Sequence, residues 1–453
     1  MSNNIMIYEE EIFLGKCLNS ESEYSRLSKV ISNLHSLLLP LHEGKADLLR
    51  FIINESKEEG YFCDSLFLEP RHILLSSKLT NMLGEFDLER KPCYTKNKDF
   101  NIVFIIPTGI NCILGGHSGD ANAVARLFAK ECDNFITHPN VVNSADINEL
   151  PENGWYVEGS ILTRFLAKQI GLIKPKANKI LLIIEKTDEG TKNAIINMVS
   201  VARTTLGLEC DIIETEGSIN ASSHYSESSS KCVGTILNFE HISNILMEYK
   251  YKYDAFALTT AIKLDERIEE YYFNENSNTV VNPWGGVEAM ITHASSYLVS
   301  KPTAHAPLIE ISKVKDRLED MKIIDPRKAS ELMSLTSLFC ILKGLYKAPQ
   351  IVRNQDSLTV NDVSCLIIPY GCLGLSILAA YEYHIPIIAV KDNINLMKNK
   401  LENVFTRENS LYVVDSYLEA LGVMKSIKHG ISINSLKRPI KLTRTIERGA
   451  QDV

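Results

Sequence analysis

The sequence predicts an α/β protein with a mostly parallel sheet, helices on both of its faces, and a mainly helical N-terminal region. Short runs of Ile, Leu and Val, such as residues 180–184 and 387–390, are typical of strands that are buried on both sides. Segments with apolar residues at helical spacing separate these runs, and such alternation is typical of parallel sheets. At 453 residues the chain is long enough for more than one domain.

The predicted strands and helices alternate from residue 101 onward. The strands are residues 101–106, 134–137, 180–184, 210–213, 255–258, 365–368 and 387–390. Asp120 is expected to cap the first helix of this part. Further helices are predicted around residues 161–170 and along an apolar stripe from Ile195 to Leu206.

Residues 1–95 differ in pattern from the rest and are predicted to be mainly helical. Apolar residues recur at helical spacing over residues 27–38, and Pro40 ends that helix. A second helix is predicted over residues 48–52. We expect this region to supply the contacts of a homodimer.

The rest of the chain is predicted to form an α/β core over residues 100–440 and a basic tail over 441–453. The core is expected to have two lobes, about 100–235 and 236–440. The Ser-rich segment 218–234 is predicted to be a surface loop, with a lid over the site as the alternative.

Composition narrows the classes of partner and the cellular location. A net charge of −8 disfavours a general nucleic-acid binder, which needs a basic surface. None of the ten cysteines forms a C-x-x-C pair, so a zinc ribbon or a secreted disulfide framework is not expected. No apolar run reaches the roughly 18 residues of a membrane span, and residues 1–13 do not resemble a signal peptide. We therefore expect a cytoplasmic protein with a small-molecule ligand, without nucleic acid or membrane as partners.

A glycine-rich segment follows the first predicted strand of the core, at the sheet edge where α/β proteins bind ligands. Its candidate substrate-binding residues are Thr108, Gly109, Gly115, Gly116 and Asp120. The spacing matches neither a dinucleotide fingerprint nor a phosphate-binding P-loop, so no nucleotide cofactor is expected. A tight strand–helix turn without any ligand is the alternative.

A second polar segment, Thr-His-Pro-Asn, follows the next predicted strand. Pro139 fixes the chain direction beside His138, so this imidazole is a candidate for acid/base chemistry. Asn140 and Asn143 are candidate substrate-binding residues beside it. The alternative is a buried histidine that is satisfied by backbone carbonyls.

Two further histidines and one glutamate extend the candidate set. His293 and His305 are each flanked by small residues, which leave space beside the rings. Glu158 either pairs with His138 or serves as a base, and a first-turn glutamate that favours the helix dipole is the alternative. No H-x-x-x-H or H-x-H spacing supports a metal site, so no metal is expected.

Two cysteines suggest a different chemistry. Cys112 and Cys372 each follow a strand in a glycine turn. Cofactor-independent amino-acid racemases use one cysteine from each of two similar halves, one to remove a proton and one to return it. Such chemistry needs a thiol with a lowered pKa. Buried cysteines that act as small apolar residues are the alternative, with Cys372 kept as a candidate substrate-binding residue.

Several ordered motifs resemble an uncharacterised family of bacterial, cyanobacterial and plant-plastid proteins, known as a domain of unknown function. They are Pro107-Thr-Gly-Ile, Gly115-Gly-x-x-Gly-Asp-Ala121, Thr137-His-Pro-Asn-Val-x-Asn143, Tyr156-Val-Glu-Gly159, Gly285-Gly-Val-Glu-Ala with Thr292-His293, Ala304-His-Ala-Pro307, Asp325-Pro-Arg327, Ala348-Pro-Gln350 and Ser416-Tyr-Leu-Glu-Ala420. The resemblance covers residues 100–440. It implies that His138, Asn140, Glu158, His293 and His305 lie in the family's motifs.

The chain also departs from this family at two positions. The family has a small residue where Cys112 stands and an aromatic residue where His117 stands. The resemblance therefore counts against a two-cysteine mechanism and against His117 as an essential ligand.

The sequence favours an enzyme that uses metal-free acid/base chemistry, of isomerase, racemase or lyase type, on a small polar, carboxylate-bearing metabolite. His138 would lead the proton transfer, with His293 or His305 as its counterpart. Asn140 and the amides near Gly115 and Gly116 would hold an oxyanion. The alternatives are a metal-dependent hydrolase or lyase that uses the histidines with Asp120, and a non-catalytic metabolite-binding protein.

Overall fold

A computed structural model describes residues 4–15, 46–57, 59–69, 99–117, 119–226, 231–264, 268, 272, 281–311, 323–334, 336–353, 356–443 and 445. Its strands are β1 Met6–Gly15, β2 Asp47–Ser56, β3 Gly60–Glu69, β4 Asn101–Phe104, β5 Asn134–Thr137, β6 Asn143–Ser144, β7 Ile147–Asn148, β8 Gly154–Tyr156, β9 Gly171–Ile173, β10 Lys179–Ile184, β11 Glu209–Glu214, β12 Ala221–Ser226, β13 Lys231–Ile236, β14 Ala255–Thr260, β15 Ile262–Leu264, β16 Thr303–Pro307, β17 Gln350–Val352, β18 Val363–Pro369, β19 Ile387–Val390 and β20 Leu411–Val414. Its α-helices are α1 Asn122–Ala129, α2 Pro139–Val142, α3 Gly159–Leu166, α4 Glu189–Leu206, α5 Glu240–Tyr249, α6 Gly285–Val299, α7 Ala329–Met333, α8 Leu338–Tyr346, α9 Leu375–Glu382, α10 Leu401–Val404, α11 Tyr417–Lys428 and α12 Ile433–Leu436.

Two parallel sheets form the α/β core and confirm the predicted fold class. The central sheet has the order β20-β19-β18-β4-β5-β8, and the second sheet has the order β11-β10-β14-β16. In the central sheet Phe104 lies opposite both Thr137 and Ile367, which aligns the carboxyl ends of these strands. All four residues of β4 are buried, as expected for a strand that is covered on both faces.

A mixed sheet with the order β15-β12-β13-β1-β3-β2 packs beside this core. It contains the described part of residues 1–95, so the mainly helical prediction for that region is wrong there. The helix predicted over residues 48–52 is strand β2. Two register shifts in β2 disturb the strict two-residue alternation of burial, and the apolar spacing consequently resembled that of a helix. The helix predicted over residues 27–38 lies outside the described residues.

The described residues of the Ser-rich segment 218–234 lie mostly in strands and not in the predicted loop. They form much of the antiparallel pair β12 and β13, with Ala221 opposite Ile236 and Ser226 opposite Lys231. The buried Ser223 takes an inward position that an apolar residue would otherwise mark, so the sequence did not show the strand period.

The predicted lobe boundary near residue 235 is wrong as well. The central sheet combines strands from residues 101–156 with strands from residues 363–414, and the second sheet is built from the chain between them. Helix α6 contacts α3, β16 and β13 and so joins the core to the mixed sheet. Residues 441–443 of the basic tail are exposed.

Candidate functional site

A cavity of about 370 Å³ lies where the carboxyl ends of the central sheet face helix α6 and the end of β16. In open α/β sheets this edge is the usual place for a ligand. Of the predicted site residues, the wall contains His138, His293, His305, Glu158, Thr108, Asn140, Asn143 and Cys372. The described residues of the wall do not include the other predicted ones, Gly109, Gly115, Gly116 and Asp120.

His293 and Glu158 form the closest imidazole–carboxylate contact at the cavity wall in the described part of the chain. His293 Nδ1 lies 2.5 Å from Glu158 Oε1, and the two side chains are only 10% and 2% exposed. His293 Nδ1 has no aligned hydrogen-bond partner among the described residues, so the contact is close without being an ideal hydrogen bond. With Nδ1 turned to the carboxylate, Nε2 is the ring nitrogen that can exchange a proton with a ligand.

Glu158 reaches this position because it caps helix α3. Its carboxylate accepts hydrogen bonds from the backbone N–H groups of Ser160 and Ile161, at 2.9 and 3.2 Å, and from the Ser160 hydroxyl. Burial alone would raise the pKa of Glu158, but His293 and the Ser160 donors lower it to about 2. Glu158 is therefore ionised at neutral pH, and its negative charge lies beside the His293 ring. The alternative prediction for Glu158, a glutamate that favours the start of a helix, therefore also holds.

A second imidazole–carboxylate pair lies on the same wall. His305 Nδ1 is 3.5 Å from Glu288 Oε1, and His305 Nε2 is 2.9 Å from the hydroxyl of Thr260, the last residue of β14. The His305 side chain is fully shielded, whereas that of Glu288 is 26% exposed. Glu288 is therefore the more accessible member of this pair at the cavity wall.

The hydrogen bond that His138 accepts is incompatible with its predicted role as the leading proton-transfer residue. Its Nε2 accepts the backbone N–H of Ile106 at 3.1 Å, so the proton of the neutral ring sits on Nδ1. Burial and the nearby His293 lower the pKa of His138 to about 4, although Glu158 opposes this. A neutral ring whose lone pair is already used cannot serve as a base. The partner is a backbone N–H, and not the carbonyl that the alternative reading expected.

The glycine loop and Asn140 do not form the predicted oxyanion site, because the Asn140 amide and the Gly115 N–H donate inside the protein and neither Gly115 nor Gly116 belongs to the described cavity wall. The Asn140 amide donates to the carbonyls of Ile106 and Gly115, at 3.0 and 2.7 Å. The Gly115 N–H donates to Asp120 at 2.6 Å. A side chain at Gly116 would lie 2.0 Å from the Cys112 carbonyl oxygen. The loop is a tight packed turn, as its alternative interpretation held.

Asn143 is hydrogen-bonded within the protein, and the two candidate cysteines are buried. The Asn143 amide donates to the Tyr156 hydroxyl at 2.8 Å and its oxygen accepts from Asn148 at 2.9 Å. Burial raises the pKa of both the Cys112 and the Cys372 thiol, which opposes thiolate chemistry. No group of three or more metal-ligating side chains occurs among the described residues.

Asp120 does not cap helix α1, whose N-cap is Ala121. One Asp120 oxygen accepts the Gly115 N–H, and the other is buried without a hydrogen-bond partner among the described residues. Burial raises its pKa from 3.8 to about 7, against the Gly115 N–H and Arg327, which lower it, and together with Glu331, which raises it. The protonated form is therefore the one that the fold favours.

Asp120→Asn is expected to flatten the dependence of stability on pH. Between pH 3.8 and about 7 the folded protein holds the Asp120 proton and the unfolded chain does not, so wild-type stability falls as pH rises through this window. The variant has no carboxyl group that titrates at this position. It should be more stable than wild type at pH 8, with a smaller difference in stability at pH 4. Urea midpoints at the two pH values measure this, and an equal difference at both would contradict it.

Comparison with known proteins assigns the chain to a protein family. Residues 101–437 match the sequence profile described as Protein of unknown function (DUF3326). The chain belongs to this family. A relative named "Uncharacterized lipoprotein", from Synechococcus sp. (strain ATCC 27144 / PCC 6301 / SAUG 1402/1), is 29% identical over 340 residues, which cover 73% of this chain and 91% of the relative. No solved structure matches the chain.

This DUF3326 protein also carries site residues that the sequence did not reveal. Glu288 stands in the motif that precedes His293, but its contact with His305 depends on the packing of α6 against β16. Arg50 lines the cavity from β2, and its guanidinium donates to Glu9 at 2.8 Å. Its segment had been predicted to be helical, so no signal pointed to it. Among the described helices none has the length and apolarity to cross a bilayer.

Proposed function

We propose that this DUF3326 protein is an enzyme that moves a proton on a small polar, carboxylate-bearing metabolite, of isomerase, racemase or lyase type. The contact between His293 and Glu158 at the cavity wall is the observation that carries the proposal. An imidazole with an ionised carboxylate behind it can accept a proton at Nε2 and return it, because the carboxylate stabilises the charged ring.

The cavity supports this chemistry in three further ways. Its volume of about 370 Å³ suits a small metabolite. His293 and Glu158 are themselves only 10% and 2% exposed, so a proton on His293 would be delivered to a bound ligand more readily than to bulk water. Arg50 is a basic residue of the described wall and would face a carboxylate group.

Solvent-proton exchange tests the proposal. Purified protein is incubated in D2O with a panel of small amino, hydroxy and keto acids, and deuterium incorporation at carbon is followed by NMR. Wild type should label at least one compound, and His293→Gln should slow this labelling by about 10²–10⁴-fold. A compound that raises the melting temperature but is neither labelled nor changed would support the non-catalytic metabolite-binding alternative instead.

The cytoplasmic location is part of the same proposal. The eight cysteines of the described residues are buried free thiols, which a reducing compartment allows. The cyanobacterial relative is named a lipoprotein, so attachment to a membrane is the competing location. Recovery of the native protein in the soluble fraction of lysed cells is expected, and recovery in the membrane fraction would contradict this.

A further inference from the structure

We infer that Glu288 is a second proton-transfer residue and that the reaction inverts a stereocentre by a two-base mechanism. The inference rests on the proposed function, because it assigns the group that works opposite His293. Glu288 is the exposed member of the pair with His305, and both Glu288 and His293 line the same cavity.

The positions of the two groups on helix α6 let them approach a ligand from different directions. His293 follows Glu288 by five positions, so their backbones are about 7.5 Å apart along the helix axis and about 140° apart around it. Both side chains nevertheless line the same cavity. Two bases that act on opposite faces of one carbon need such different directions of approach.

The shielded His305 ring lies beside the Glu288 carboxylate. His305 Nδ1 lies 3.5 Å from it and has no aligned hydrogen-bond partner among the described residues. Thr260 holds the other ring nitrogen at 2.9 Å. This arrangement resembles the support that Glu158 gives to His293, with carboxylate and imidazole exchanged: here the imidazole is shielded and the carboxylate reaches the cavity. His305 and Thr260 are positioning residues.

The proton balance of the reaction closes without a further reactant. In one direction the Glu288 carboxylate removes the proton from the carbon next to the substrate carboxyl or carbonyl group. The C–H electron pair moves to that oxygen as an enolate. The His293 imidazolium, stabilised by Glu158, gives its proton to the opposite face as the C–H bond forms. In the other direction His293 is the base and Glu288 is the acid.

Separate handling of the two enantiomers tests the inference. L- and D-amino acids and the two enantiomers of 2-hydroxy acids are incubated singly with the full chain in D2O, and chiral chromatography is combined with NMR. Wild type should both label and invert at least one compound. Glu288→Gln should lose inversion by at least about 100-fold but still label, by means of His293, one of the two enantiomers.

The controls separate the possible failures. Glu216→Gln changes an exposed glutamate and should leave both rates unchanged. His305→Gln, a second variant, should lower inversion and alter its pH profile without abolishing His293-dependent labelling. Labelling by wild type without inversion, or inversion that survives in a folded Glu288→Gln protein, would overturn the inference while leaving the proposed function intact. No labelling of any compound by wild type would overturn both.

Discussion

Glu158→Gln is expected to slow proton transfer by about 10²–10⁴-fold, because the neutral amide cannot stabilise a protonated His293. The replacement has nearly the same shape and keeps an oxygen that can accept the N–H groups of Ser160 and Ile161. The rate of deuterium incorporation into the compound found in the exchange screen measures the effect. An unchanged rate would remove Glu158 from the mechanism.

Stability measurements distinguish this effect from loss of the fold. The pKa of Glu158 lies below its ordinary value of 4.5, at about 2. Its contribution to stability is therefore complete above about pH 4.5 and is lost as pH falls through about 2. At pH 7 the variant should lose stability on the scale of a helix cap, about 0.5–2 kcal/mol, and remain folded.

Ser160→Ala, which removes a hydroxyl donor to the same carboxylate, should give a smaller loss of the proton-transfer rate than Glu158→Gln.

Lys231→Met is expected to lower the free energy of unfolding by about 3–5 kcal/mol, because it leaves Asp64 as an unpaired buried charge. Lys231 Nζ lies 2.5 Å from Asp64 Oδ2 and also donates to Asn54, and the two charged side chains are only 7% and 1% exposed. The pair joins β13 to β3 within the mixed sheet. Urea unfolding at pH 7 measures the loss.

A matched surface pair provides the control for burial. Lys192 and Glu214 lie 2.8 Å apart, but their side chains are 35% and 27% exposed. Lys192→Met should cost no more than about 1 kcal/mol. The double variant with Lys231→Met and Asp64→Leu should recover most of the loss, because no charge is left buried. Equal losses for Lys192→Met and Lys231→Met would contradict the account of this pair.

The fold of the core was predictable because its strands are short, continuous and apolar. The strands predicted at 180–184 and 387–390 are β10 and β19, and the helix predicted from Ile195 to Leu206 lies within α4. The wrong predictions concern segments in which buried positions do not alternate regularly or are not occupied by apolar residues. Register shifts in β2 disturbed its period, and a serine at a buried position, Ser223, concealed β12.

The position of the site was more predictable than the roles of its residues. Strand ends followed by His, Asn and Glu indicated the sheet edge at which the cavity lies, and the three imidazoles line that cavity. The roles depend on contacts that join distant parts of the chain. His138 Nε2 accepts the N–H of Ile106. Glu158 contacts His293, which is so far away in the sequence that no local pattern predicts the contact.

A crystal structure with the compound identified in the exchange screen would show whether His293 can act on it. We expect the carbon that exchanges its proton to lie about 3–3.5 Å from His293 Nε2, with Glu158 still against Nδ1. A ligand that binds outside this cavity, or one whose reactive carbon lies beyond the reach of His293, would contradict it.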